Sequence, residues 1–293
     1  MTLLDKGADK CDIIFGPLYT KQVKPLADFA SKYGIKVVIP FSIESDAVKN
    51  NPNVFQIYQN PTFFNQEVVS QFVKRFESSH PVFIDCNDPS STKGNFTTQL
   101  RKELEARNIA YSITNINSEW KNFARSFLPN KQNVIILNSE KSPCLNRVIL
   151  RLDSLRAANP QLKLTFFGHT EWLMYAKYNM GKYCTYDTYI PAYFYYNAMS
   201  QAIGNLERSY KQWFRADMQD YLPRFAITGY DHGVFFLRGL HQYGVKFNGS
   251  TADKTALQTR LHFQKVGKTG GYQNTSFLFV HYNKDNSIST INF

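Results

Sequence analysis

The feature that most constrains this chain lies between Asp12 and Ile39. Two short apolar runs, Asp12–Phe15 and Ile35–Ile39, flank a segment in which Val23, Leu26, Ala27 and Ala30 recur at helical spacing. The runs are rich in β-branched residues and too short for helices, so both are predicted to be buried strands. Gly34 suits the C-cap of the helix between them. Strand, helix and strand together make a parallel crossover unit, which needs roughly thirty residues. In open parallel sheets, ligands bind beyond the carboxyl ends of the strands. Those ends carry Gly16–Thr20 and Pro40–Ile43 here, and these become the first candidate ligand loops.

The same alternation continues along the chain. A short helix within Glu44–Asn50 and a strand over Val54–Tyr58 precede a break at Asn60-Pro61. Helices are then predicted over Asn65–Phe76, Phe96–Arg107, Ser118–Phe127 (capped by Ser118) and Leu145–Leu155. Strands are predicted at Pro81–Cys86, Ile109–Ile113, Asn133–Leu137 and Leu162–Phe167. Repeated strand–helix alternation implies a parallel sheet covered on both faces, and residues 62–190 read as one complete lobe of this kind. Beyond it, Ile190–Tyr196 is extended and aromatic, and Met199–Met218 and Gly229–Tyr243 read as helices. Phe277–Tyr282 and Ser287–Ile291 flank a turn and predict a hairpin.

A length of 293 residues exceeds what one hydrophobic core usually organises, so two lobes are expected. No apolar run approaches the roughly 20 residues of a membrane span, and the first residues carry no signal-peptide core. The net charge of +11 is uneven: +5 in residues 62–190, +4 in 246–293 and +1 in each remaining part. No Lys/Arg run is dense, which favours an ordinary solvated surface over a polyanion partner. The four cysteines, Cys11, Cys86, Cys144 and Cys184, show no metal-type spacing and leave a Cys144–Cys184 disulfide open in an oxidising compartment.

The chemistry of catalysis is missing from the sequence pattern. Six histidines fall at no ligand spacing, and neither a nucleophile elbow nor a dinucleotide loop occurs. Gly267-Lys268-Thr269 lacks the upstream glycine of a phosphate-binding loop and reads as a basic loop. The densest aromatic run, Tyr193–Tyr196, contains no basic residue, which argues against a nucleic-acid stacking platform. Asn95, Asn248 and Asn274 begin glycosylation triplets that matter only in a eukaryotic secretory setting. No enzyme activity, metal, cofactor or nucleic-acid partner is expected.

Four stretches carry a family resemblance: Ile13–Ser42, Phe166–Tyr175 (FFGHTEWLMY), Arg224–Leu240 (RFAITGYDHGVFFLRGL) and, more weakly, Ser276–Ile291. In this order they resemble the type 1 periplasmic binding fold. The likeness is nearest the branched-chain amino acid binding branch and, within it, bacterial proteins often joined to a peptidoglycan-binding LysM module. The resemblance implies two α/β lobes of parallel sheets flanked by helices, linked by three crossing segments near Gln59–Thr62, Pro191–Asn197 and within Gly244–Thr275. Lobe 1 would gather residues 1–61 and 192–245; lobe 2 would gather 62–191 and 246–293. Family members carry two further strands before the one matching Asp12–Phe15, so lobe 1 is expected to be incomplete. Its first strand would be an exposed edge prone to self-association.

The resemblance also implies ligand contacts. In lobe 1 these are Tyr19, Thr20, Ser42 and Ile43; in lobe 2 they are Asp88, Ser90, Ser91, Ser139, His169 and Glu171. Tyr193 and Tyr195 lie at the crossing. Ser42 and Thr20 could hold a ligand carboxylate, and Glu171 or Asp88 an ammonium; equally, Ser42 could cap the following helix. The implied function is non-enzymatic binding of a small polar solute, such as an amino acid or peptide-like compound, in the periplasm or cell envelope, with a membrane permease as partner. The alternative is an envelope scaffold or regulator that contacts peptidoglycan or proteins.

Overall fold

The structure, a computed structural model, describes residues 3–41, 43–251 and 254–293. The chain divides into two compact units, Met1–Pro61 with Tyr193–Phe277, and Thr62–Ala192 with Leu278–Phe293. The first unit begins with β1 (Ile13–Phe15), α1 (Val23–Tyr33), β2 (Lys36–Ile39), α2 (Ala47–Asn50) and β3 (Val54–Gln56). The periodic residues Val23, Leu26, Ala27 and Ala30 form the buried face of α1. Gly34 ends the helix at φ 70°, a left-handed conformation that costs glycine little.

The second unit follows with α3 (Pro61–Phe76), β4 (His80–Asp85), α4 (Gly94–Ala106), β5 (Ser112–Asn115), α5 (Trp120–Arg125), β6 (Gln132–Leu137), α6 (Ser142–Ala158), β7 (Lys163–Phe167), α7 (Ala176–Thr185) and β8 (Thr188–Ala192). The chain returns to the first unit as α8 (Gln201–Phe214), α9 (Phe225–Tyr243), β9 (Phe263–Lys265) and β10 (Tyr272–Asn274). It ends in the second unit with the antiparallel pair β11 (Leu278–Tyr282) and β12 (Ile288–Asn292), the hairpin read from sequence.

The second sheet runs β12-β11-β8-β7-β6-β4-β5, with β5 to β8 all parallel. Taken by order in the chain, its parallel strands lie second, first, third, fourth, fifth, and the order reverses between β4 and β6. The first sheet runs β1-β2-β3-β10-β9, parallel except for the β9–β10 pair. Among the described residues β1 pairs only with β2, and Phe15 on it is 42% exposed. At the centre of this sheet Phe55 is fully buried, edge-on to Phe236 and Phe263 and stacked on Tyr272.

Four expectations need correction. Residues 246–277 belong to the first unit, because β10 pairs in parallel with β3 and β9 pairs with β10. The third passage between units therefore falls at Phe277–Leu278, after the segment expected to contain it. This reassignment also moves basic residues, so that Lys and Arg exceed Asp and Glu by six in the first unit and by five in the second. Ser118 caps no helix; its hydroxyl accepts the Asn115 amide, and α5 starts two residues later. The strand read at Ile109–Ile113 lies at Ser112–Asn115, in register with Val82–Asp85 of β4. The neighbour that the fold gives Cys144 is Cys86, whose thiol is pushed up by burial and by that contact; all four cysteines are free.

The stretch from 254 to 277 is held by hydrogen bonds that no periodicity reveals. Asp231, 1% exposed on α9, accepts the backbone N–H groups of Leu257, Gln258 and Thr259, each at 2.8 Å. The Gln258 side chain returns the contact, bonding Arg224 and Thr228 at the start of α9. Further on, Asn274 Nδ2 donates to Ile57 O, and Gln273 Nε2 donates to Tyr58 O. Gly270 and Gly271 pass so close to the main chain of Val48 and Val54 that a Cβ on either would collide with carbonyl oxygens.

An Asp231→Ala variant would strand three backbone donors, two of them on the buried residues Gln258 and Thr259. We expect it to destabilise the protein by about 3 kcal/mol or more in urea unfolding, since each unsatisfied buried group costs about 1–3 kcal/mol. A loss below about 1 kcal/mol would show that the 257–259 segment is held by other means.

Candidate functional site

The parallel strands β2, β3 and β10 bring their carboxyl ends to one edge of the first sheet. Pro40 and Phe41 follow β2, Ile57, Tyr58 and Gln59 follow β3, and Asn274 ends β10. Together with Phe225, Thr228 and His232 of α9, and with Tyr193, Phe194, Pro223 and Thr259, they line a cavity of about 340 Å³. That volume lies in the range of small-molecule sites. Phe41 and Phe225, 42% and 53% exposed, stand at its rim with their rings edge to face at 6.4 Å. The lining is mostly apolar and aromatic, and it contains no Asp, Glu, Lys or Arg.

Most polar groups of this lining are already engaged. Thr228 Oγ1 accepts from Gln258, and Asn274 Oδ1 accepts the amides of His262 and Ser276. Gln59 Nε2 donates to Ser276 O at 2.8 Å. Two of the lining's buried polar atoms are left over. Gln59 Oε1 and His232 Nε2 are buried with no hydrogen-bond partner among the described residues. Burial drives the His232 pKa down to about 4, so its ring is neutral at pH 7.

The second unit gathers polar side chains at the carboxyl ends of β4, β6 and β7, beside the point where its strand order reverses. Asp88 accepts from Ser139 Oγ at 2.7 Å, Ser90 Oγ at 2.8 Å and Lys141 Nζ at 3.0 Å. These three contacts hold its carboxyl far below the usual carboxylate range. Ser91 donates to Glu140 at 2.7 Å. His169, 5% exposed, bonds Leu137 O at 2.8 Å; burial, then the Lys93 charge, brings its pKa to about 4. Glu171 takes Lys93 Nζ on Oε1 at 2.7 Å, while its buried Oε2 has no partner among the described residues. Burial alone would raise the Glu171 carboxyl, but Lys93 outweighs it and leaves the group below its ordinary value.

The residues predicted from sequence are thus distributed unevenly. Asp88, Ser90 and Ser139 share one network, Ser91 joins the same loops through Glu140, and His169 and Glu171 flank the turn after β7. Tyr193 lines the first-unit cavity. Tyr195 is half-buried and bonds Gln258 O through its amide, outside that lining. Tyr19 and Thr20 are exposed and do not line it, and Ile43 packs into the core of α1 and β2. Ser42 lies outside the described residues. Gln59 and His232 were missed because a glutamine after a strand and a histidine on an apolar helical face carry no motif. Lys93 and Lys141 were missed because their partners are far away in sequence.

Neither a protein-family model nor a curated protein matches this sequence. Solved structures do. A protein described as a branched-chain amino acid ABC transporter from Rhodospirillum rubrum superposes with TM-score 0.57 at 15% identity, over 94% of this chain and 79% of its own. A branched-chain amino acid ABC transporter periplasmic ligand-binding protein from Burkholderia xenovorans superposes with TM-score 0.53 at 11% identity, over 99% and 78%. At such identities the likeness establishes the fold, which is the two-lobed type 1 periplasmic binding protein architecture.

Folding lowers the pKa of His80, His169 and His232 from 6.5, in each case chiefly by burial, the last two to about 4. Between pH 6.5 and about 4 the unfolded chain therefore binds more protons than the folded one, and stability falls as pH falls. From pH 8 to pH 5 the expected loss is on the order of 2 kcal/mol for each of His169 and His232. Urea titrations at the two pH values measure it; an unchanged unfolding free energy would mean that these rings titrate in the native fold.

Proposed function

We propose that this chain is a non-enzymatic, extracytoplasmic solute-binding protein that delivers a small ligand to a membrane permease. The observation that carries the reading is the first-unit cavity, aromatic in lining and placed where parallel strands end. That is where ligands enter open parallel sheets. The names of the two solved neighbours, each assigned to a branched-chain amino acid ABC transporter, support the same class of function. Among the described residues no helix is long and apolar enough to cross a membrane, and no cluster of His, Cys, Asp and Glu could hold a metal ion. In the second unit Glu171 Oε2 is a buried acceptor with no partner among the described residues, and we assign it to a ligand N–H or ammonium. The excess of Lys and Arg over Asp and Glu is shared almost evenly between the units, so no basic second lobe favours the envelope-scaffold alternative.

A thermal-shift screen of amino acids, dipeptides, small neutral aromatics and muropeptide fragments tests the reading. A micromolar ligand at millimolar concentration should add about 4 kcal/mol of stability. Phe225→Ala should weaken the response of a ligand held by the first-unit cavity, and Glu171→Ala that of a ligand held in the second unit. Silence across the whole screen would sink the solute-binding reading, and a response to muropeptides alone would restore the scaffold.

Self-association is a separate proposal, supported by the open β1 edge, where Phe15, Leu18 and Tyr19 are 42%, 64% and 63% exposed. Light scattering should show mass rising with concentration, and Leu18→Lys should suppress the rise. A monomer at every concentration would dismiss it.

A further inference from the structure

We propose that the first-unit cavity takes an uncharged aromatic group bearing a hydrogen-bond donor, of the phenol or indole type, either as a free molecule or as the side chain of a larger ligand. This rests on the solute-binding reading and names the chemistry of the same site.

Three observations lead there. The first is charge: none of the lining residues is ionic, and His232 is held neutral by burial. A carboxylate or ammonium entering this space would lose its hydration without gaining an opposite charge, which costs several kcal/mol. The second is shape: Phe41, Tyr193, Phe194 and Phe225 offer rings for stacked or edge-on contact. The cavity of about 340 Å³ accommodates one ring system with its substituent.

The third observation is the pair of leftover polar atoms. Gln59 Oε1 accepts only, so its partner must carry an O–H or N–H. His232 Nε2 donates when the imidazole carries its proton there. A phenol hydroxyl carries both what Gln59 Oε1 lacks, a proton to accept, and what a His232 Nε2–H lacks, an oxygen lone pair. An indole N–H meets the first. A plain hydrocarbon ring meets neither and would seal both atoms off unpaired. Sites built around such groups reject analogues that lack the hydrogen-bonding atom far more strongly than sites of pure shape.

Isothermal titration of the whole chain compares p-cresol with toluene and L-tyrosine with L-phenylalanine, with indole, benzoate and L-leucine as further probes. Within at least one of the two pairs, the hydroxylated member should bind at least tenfold more tightly. The pair that responds tells a free phenol from a side chain. Toluene, benzoate and L-leucine should trail p-cresol, L-tyrosine or indole. Gln59→Leu and His232→Phe should shrink the hydroxyl preference to about threefold or less. Phe41→Arg, at an exposed rim position that keeps the variant folded, should weaken all aromatic binding tenfold even if the buried variants fail to fold. Tighter binding of L-leucine or benzoate overturns the inference and leaves solute binding standing. So does equal binding within both pairs. No binding by any probe overturns it too, and the broader thermal-shift screen then decides the fate of solute binding itself.

Discussion

The first unit depends on one buried carboxylate. Asp231 sits on α9 and takes three consecutive backbone N–H groups from Leu257, Gln258 and Thr259. Those donors belong to a segment with little periodic apolar content, which could not dock by hydrophobic burial alone. Once it is fixed, Leu261 and Phe263 can reach the aromatic core around Phe55, and β9 and β10 can extend the sheet beyond β3. Gln258 ties the same segment to the first turns of α9, so Thr228 and Thr259 arrive together at the cavity wall. A single acceptor thereby couples the helix, the sheet and the candidate site.

This explains what the sequence could and could not reveal. Elements whose burial is periodic were legible: the face of α1, the strands Lys36–Ile39 and Gln132–Leu137, and the terminal hairpin. Their pattern is local, and hydrophobic spacing reports it directly. The three-residue strands Phe263–Lys265 and Tyr272–Asn274 were not legible, because side-chain bonds to residues about 215 positions away, such as Gln273 to Tyr58, place the second, and the first pairs with it. Placing 246–277 in the second lobe was the cost of that blindness, and the apparent concentration of charge in that lobe followed from it. The site divides in the same way. Loop positions after strands could be inferred from topology, and Tyr193 with them, whereas Gln59 and His232 declare themselves only through what they fail to bond.

The two units treat their polar groups differently at their sheet edges. In the second, Asp88 is saturated by Ser90, Ser139 and Lys141, and Glu171 is half-neutralised by Lys93. Networks of this kind fix loop geometry and leave little capacity for anything else. Asp88 is therefore better understood as the post that aligns the loops after β4 and β6. Glu171 keeps one oxygen in reserve. In the first-unit cavity the lining is mostly apolar, and its buried atoms in reserve are neutral, the Gln59 amide oxygen and the His232 imidazole nitrogen.

Reserve of that kind is informative because it opposes folding. A buried polar atom without a partner destabilises the native state, and most native interiors avoid it. Trp172 Nε1 shows that an orphan can occur inside a packed core, where Trp172 is fully buried against Phe166 and Tyr183. Gln59 and His232 differ in that both line one cavity whose remaining wall is aromatic. Two such costs, borne at the edge of a sheet where ligands enter, are offset when a ligand supplies the missing partners. A ligand that satisfied neither atom would have to bind through its ring contacts alone. On the proposed reading, the unpaired hydrogen-bonding atoms of the cavity, more than its volume, select among solutes of similar size.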